Sequence, residues 1–131
     1  MQGVSTWYQA IVKPPYTPPG VIIGVVWTVI YVLSAISLIV FVNAARGKKD
    51  VWVIASLYIL NGVINVFWSY IFFVKHLLYL AILDSLCILF TVGLLIVYTW
   101  SYSRISSILL VPYFLWVSFA TYLNFVIYRL N

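Results

Sequence analysis

The sequence predicts an all-α integral membrane protein, a bundle of four transmembrane helices forming one domain over residues 1–131. Three observations predict it. Of 131 residues, 66% are hydrophobic and 7% are charged, whereas a soluble domain carries roughly a quarter of its residues as charges. Four apolar runs each exceed the roughly 20 residues needed to cross a ~30 Å hydrocarbon core at 1.5 Å per residue. Only short polar joints separate them, which forces sequential helices to run antiparallel.

The elements follow in order. Residues 1–19 form a polar, Pro-rich lead, read as loop. The spans cover about residues 20–43, 51–74, 77–101 and 105–130, with joints at 44–50, 75–76 and 102–104. Helix is the required form because hydrocarbon leaves no partner for open backbone groups. A transmembrane barrel would show ~10-residue alternating segments instead of these long uniform runs. No internal repeat or low-complexity tract is present, and nothing at the start reads as a cleavable signal peptide.

The formal net charge of +5 does not point to nucleic acid. Lys13, Arg46, Lys48, Lys49, Lys75, Arg104 and Arg129 are scattered, each beside a predicted membrane boundary, where basic side chains anchor helix ends and meet anionic headgroups. Their split across the two faces is too even to orient the bundle. Cys87 is the one cysteine, so no intrachain disulfide or cysteine metal cluster can form. His76 reads as an interfacial loop residue, and no phosphate loop, nucleophile–base pair or zinc motif occurs. No metal and no required cofactor is expected.

Polar residues within the runs mark the places of interest. Asp84 lies about two turns into the third run. Ionised and facing lipid it would cost about 2.5–3.5 kcal/mol, so it is expected inside the bundle, protonated, or both. It serves either as a ligand or proton site or as an interhelical hydrogen bond. Asn61, Asn65 and Ser69 are spaced i, i+4, i+8 and share one helix face, with Trp68 and Phe72 beside it. Such a stripe is interhelical glue or one wall of a site.

Aromatic residues make up 19% of the chain. Trp7, Tyr8, Trp52 and Trp100 fit a headgroup belt. Trp27, Trp68 and Trp116 lie deeper, where a buried indole N–H needs a partner. Trp27 with Tyr31, and Trp116 with Ala120, are i, i+4 pairs. Aromatic walls around a small residue suit either a packed core or an apolar cavity for a flat ligand. Pro112 removes one backbone hydrogen bond from the fourth span and is expected to kink it beside Trp116. Gly20 and Gly24 form a small-xxx-small pair that favours close helix contact.

Over nearly its whole length the chain resembles the translocator protein/tryptophan-rich sensory protein (TspO/MBR) family. The resemblance is carried by Trp7-Tyr8, Lys13-Pro14 and Pro18-Pro19-Gly20 in the lead, and by Val26-Trp27-Thr28 and Tyr31 in the first span. Asn65, Trp68-Ser69 and Phe72-Phe73 carry it in the second. The last span adds Pro112-Tyr113, Trp116-Val117, Phe119-Ala120-Thr121 and Leu123-Asn124.

That resemblance implies a membrane-embedded binding protein for flat hydrophobic ligands, porphyrin or sterol-like, acting as a sensor, sequestering or transport-related homodimer. It implies a pocket made by Tyr8, Trp27, Tyr31, Asn65, Trp68, Ser69, Asp84, Trp116 and Ala120. It also raises photooxidative porphyrin degradation, with Trp27 and Trp116 as the reacting groups. Proton-coupled transport through Asp84 is a further alternative. The family's helix ahead of the Trp7-Tyr8 loop has no counterpart in these residues, so a truncated start or a four-helix variant is expected. A bacterial or archaeal cell membrane is the expected location.

Overall fold

The computed structural model describes residues 6–131. A short helix, α1 (Thr6–Ala10), precedes four long ones: α2 (Gly20–Ala44), α3 (Val51–Ser69), α4 (Leu78–Trp100) and α5 (Arg104–Leu130). A π-helical turn, Tyr70–Val74, continues α3, so that the span runs Val51–Val74. All four are long and apolar enough to cross a membrane. The expected spans stand within a residue or so of their expected ends. The lead differs from its reading as loop, because Trp7 and Tyr8 lie on a helical turn.

Around the bundle the order is α2–α5–α4–α3. The α4–α5 packing is the most extensive, α2 lies on α5, and α3 lies on α4, while α2 and α3 barely touch. One end of the bundle is solidly filled. There Phe41, Ile54, Tyr58, Leu95 and Leu110 make the core, and Ser37 ties three helices together. Its hydroxyl donates to the Ser106 carbonyl (2.8 Å) and pairs with the Tyr58 hydroxyl (2.7 Å), while the Ser106 hydroxyl donates to the Ser37 carbonyl (3.0 Å). Satisfied polar groups matter in hydrocarbon because an open one has no water to turn to.

The joints turn with local chemistry. Gly47 has φ +80° between α2 and α3, a left-handed conformation that glycine adopts without a Cβ penalty. Ser103 caps α5 by accepting from the Ser106 N–H at 3.2 Å. His76, in the joint after the π-helical turn, has φ +58° and stacks on Trp7 with ring centroids 4.0 Å apart, which fits its reading as an interfacial loop residue. Lys75 donates its N–H to the Tyr70 carbonyl five residues back (3.1 Å). That wider turn lets both Phe72 and Phe73 meet Tyr8. Helix α5 runs unbroken through Pro112.

The lead folds back over the bundle end at which α2 begins and α5 finishes. Asn131 clasps it: the Val12 N–H donates to the Asn131 side-chain oxygen (3.2 Å), and the Asn131 amide donates to the Val12 carbonyl (2.9 Å). Tyr16 donates to the Tyr122 hydroxyl at 3.0 Å.

Candidate functional site

Beneath the lead, α2, α3 with its π-helical turn, and α5 enclose a cavity of about 690 Å³. That volume falls within the roughly 300–1,000 Å³ typical of small-molecule sites. Each wall has a sequence reason. On α2, Gly20, Gly24, Thr28, Trp27 and Tyr31 fall on one side at i, i+4 and i+3 spacings. On α3, Asn65, Trp68, Ser69 and Phe72 do the same, and on α5 the series is Trp116, Ala120, Asn124 and Ile127. Tyr8 from α1 and Phe73 close the end. Small residues at Gly20, Gly24 and Ala120 leave the room that the large rings frame. The small-xxx-small pair thus makes space here instead of a close helix contact.

The rings form a connected set. Trp27 lies 6.5 Å from Trp68, 6.4 Å edge-on to Trp116 and 5.7 Å from Tyr31. Trp68 stacks on Phe72 at 5.0 Å. Among the described residues, no acidic or basic side chain lines the cavity. Val21, Val25 and Val29 line it while staying exposed at 50–64%, so it opens at the outer side of α2.

A polar chain runs from this wall into the core. Tyr31 donates to the Asn65 side-chain oxygen (3.1 Å), and Asn65 donates to the Tyr113 hydroxyl (2.6 Å). Tyr113 donates to Asn61 (2.7 Å), and Asn61 donates to Thr91 (2.7 Å). Thr91 finishes on the Ile88 carbonyl (2.9 Å). The Tyr31 hydroxyl spends its one proton inward on Asn65, which leaves its oxygen able to accept from a cavity occupant. The stripe of Asn61, Asn65 and Ser69 divides: Asn61 binds helices together, while Asn65 and Ser69 line the cavity. Three other polar atoms of the lining residues are buried without any partner: the indole nitrogens of Trp68 and Trp116 and the side-chain oxygen of Asn124.

Eight of the nine residues expected in the pocket line this cavity: Tyr8, Trp27, Tyr31, Asn65, Trp68, Ser69, Trp116 and Ala120. Asp84 is not brought to it. Helix α4 supplies no lining residue, and its Ala81–Ser85–Ile88 face packs inward, with Ser85 hydrogen-bonded to Thr121 of α5. Asp84 flanks that face half-buried, with one carboxylate oxygen lacking a partner. Tyr8 departs from the headgroup belt: it is 9% exposed, and burial pushes its phenol above its usual pKa. Trp52 and Trp100, near the start of α3 and at the end of α4, are exposed at 70% and 49%. Phe73 and Asn124 are the main lining residues that sequence reasoning missed. Asn124 extends the Trp116–Ala120 series by one more i+4 step.

Fold and site together define a multi-pass α-helical membrane protein with a tryptophan-walled cavity open at the side of α2. The chain belongs to the TspO/MBR family, whose family model matches residues 1–129. Its relatives include the tryptophan-rich protein TspO of Bacillus cereus, 42% identical over 127 residues that cover 96% of this chain and 81% of that one. The protein of the same name from Archaeoglobus fulgidus is 37% identical, covering 99% and 83%. The human translocator protein is 29% identical, covering 95% and 75%.

Proposed function

We propose that the protein binds a flat, hydrophobic ring system of the tetrapyrrole class reversibly in the cavity between α2, α3 and α5. Membership of a family of membrane sensor and binding proteins supports a binding role in general. The observation that carries the finer reading is the set of Trp27, Trp68, Trp116, Tyr31 and Phe72 around one uncharged volume. Ring faces of a flat ligand gain dispersion and offset-stacking contacts on indole and phenol faces. The unpartnered atoms of Trp68, Trp116 and Asn124 suit polar edges of such a ring, since a buried polar group gains most from a partner it otherwise lacks. The opening beside α2 suits a ligand that partitions into hydrocarbon. Relatives in a bacterium and an archaeon support placement in a prokaryotic cell membrane.

The test is a titration of the purified protein with protoporphyrin, followed by tryptophan fluorescence and by the porphyrin absorbance band. The wild type should bind saturably. A Trp27→Phe, Trp116→Phe double variant should bind at least about tenfold more weakly, a loss of ~1.4 kcal/mol. Equal affinity in the two would reject this site.

A further inference from the structure

We infer that the stack of His76 on Trp7 is a proton-sensitive latch, which grips the lead more tightly when the imidazole is charged. The latch also sets how firmly Tyr8 is held at the end of the cavity, whatever that cavity binds.

The joint after the π-helical turn closes with a backbone pattern that ordinarily calls for glycine. The Leu77 N–H donates to the Ile71 carbonyl six residues back (3.1 Å), and His76 stands just before it at φ +58°. Such a closure puts a left-handed residue immediately past the helix, and glycine is usual there because a Cβ is unfavourable. Here a histidine carries that penalty, and its ring lands on Trp7. The two ring planes lie 8° from parallel, with centroids 4.0 Å apart. Phe72 meets Trp7 edge-on at 5.4 Å and itself stacks on Trp68 of the cavity wall at 5.0 Å. A continuous set of rings thus joins the joint, the lead and the cavity.

The imidazole adds a charge that can be turned on and off. Histidine side chains change charge between about pH 5 and 8. His76 is exposed and borders a depression of about 750 Å³ between the lead, α4 and α5, so protons reach it. The face of an indole attracts a cation held within ~6 Å of its centre, so a charged imidazole holds Trp7 more strongly than a neutral one. The surrounding groups do not reverse this. Tyr79 of α4, Tyr128 and Arg129 of α5, and Asn131, the last residue with its terminal carboxylate, line the same depression. Arg129 and Asn131 are both exposed and carry opposite charges, and the Arg129 guanidinium stands over the Phe125 ring at 6.0 Å. The neighbouring Lys75 ammonium is drawn to the Tyr70 ring at 5.7 Å, and the Lys13 ammonium of the lead to the Tyr8 carbonyl at 2.7 Å. Of the two acidic residues, Asp50 lies at the opposite end of the bundle and Asp84 further along α4. The indole face is the contact in direct reach of the imidazole.

The test is hydrogen–deuterium exchange of the whole protein in detergent at about pH 5.5 and pH 8, each rate corrected for intrinsic exchange at that pH. The readout is the pair of lead amides with hydrogen bonds, Ile11 to the Trp7 carbonyl and Val12 to Asn131. In the wild type they should be roughly two- to fivefold better protected at the acidic pH, as expected for an exposed cation–π contact. The middle of α4 and α5 should not respond. His76→Phe keeps a ring against Trp7 but cannot take up a proton, so protection of the lead should be the same at both pH values. His76→Gly suits the left-handed turn and removes the ring, so the lead should be less protected than in the acidic wild type and equally so at both pH values. Equal protection of the wild-type lead at the two pH values overturns the latch. Lower protection at the acidic pH also overturns it, because repulsion from Arg129 and Lys75 would then outweigh the indole contact. Survival of the acidic gain in His76→Gly overturns it as well, since the proton would then act elsewhere, as on the Asn131 carboxylate.

Discussion

Tyr113 is the residue on which the polar interior turns. Its hydroxyl accepts from Asn65 and donates to Asn61, so one oxygen joins the cavity wall to the network that ends at Thr91 and the Ile88 carbonyl. Removing that oxygen costs more than the hydrogen bonds themselves. In Tyr113→Phe the Asn61 oxygen loses its donor and one Asn65 N–H loses its acceptor, both at buried residues. A loss of about 1–3 kcal/mol is expected, lowering the midpoint of thermal unfolding in detergent by about 4 °C per kcal/mol. An unchanged midpoint would show that the two asparagines find other partners. The two asparagines and Ser69 were readable as one face from their spacing. Tyr113 was not, because a tyrosine among so many aromatic residues carries no mark of being the acceptor.

Among the elements, the lead depends most on partners distant in sequence. A five-residue helix cannot stand alone in water, since forming its first turn is unfavourable and too few later bonds repay it. It is kept in place by the contacts of Tyr8 with Phe72 and Phe73 and by the clasp of Asn131 on Val12. Those contacts explain why the sequence reads as plain loop there: the stabilising groups lie in the π-helical turn and at the far end of the chain. In Asn131→Ala, hydrogen–deuterium exchange should accelerate roughly tenfold at Val12 and its neighbours, a local loss of about 1.4 kcal/mol. The middle of α4 and α5 should exchange as before. Unaltered exchange in the lead would mean that the aromatic contacts alone hold it.

The four spans were legible at the element scale because length and unbroken hydropathy decide a transmembrane helix, whatever its neighbours do. Their rotations were less legible. In a soluble helix the apolar stripe shows which side faces in, but α2 and α4 are apolar on every side, so hydropathy gives no direction. The resemblance to the TspO/MBR family supplied it for α2, α3 and α5, and eight of the nine residues it implied meet at one cavity. The exception is Asp84 on α4. Its polarity correctly implied burial of part of the carboxylate, yet its facing is set by the packing of α4 on α5.

At the scale of the whole molecule, the cavity follows from how the bundle closes. The end containing Ser37, Tyr58 and Ser106 is bolted by hydrogen bonds across three helices. Toward the lead, α2 and α3 part, and glycine or alanine stands at the positions that would otherwise fill the gap. In the proposed function, that separation is the room for the ligand. The central claim is that this gap is the binding volume, and Ala120, between Trp116 and Asn124 on α5, lies within it. The most direct measurement is the affinity of Ala120→Phe for protoporphyrin, taken alongside its thermal unfolding midpoint. A phenyl ring at this position occupies the cavity without removing any hydrogen bond, so the account predicts an affinity lower by about tenfold or more, ~1.4 kcal/mol, in a protein that unfolds no earlier than the wild type. Wild-type affinity in a folded Ala120→Phe protein would contradict it.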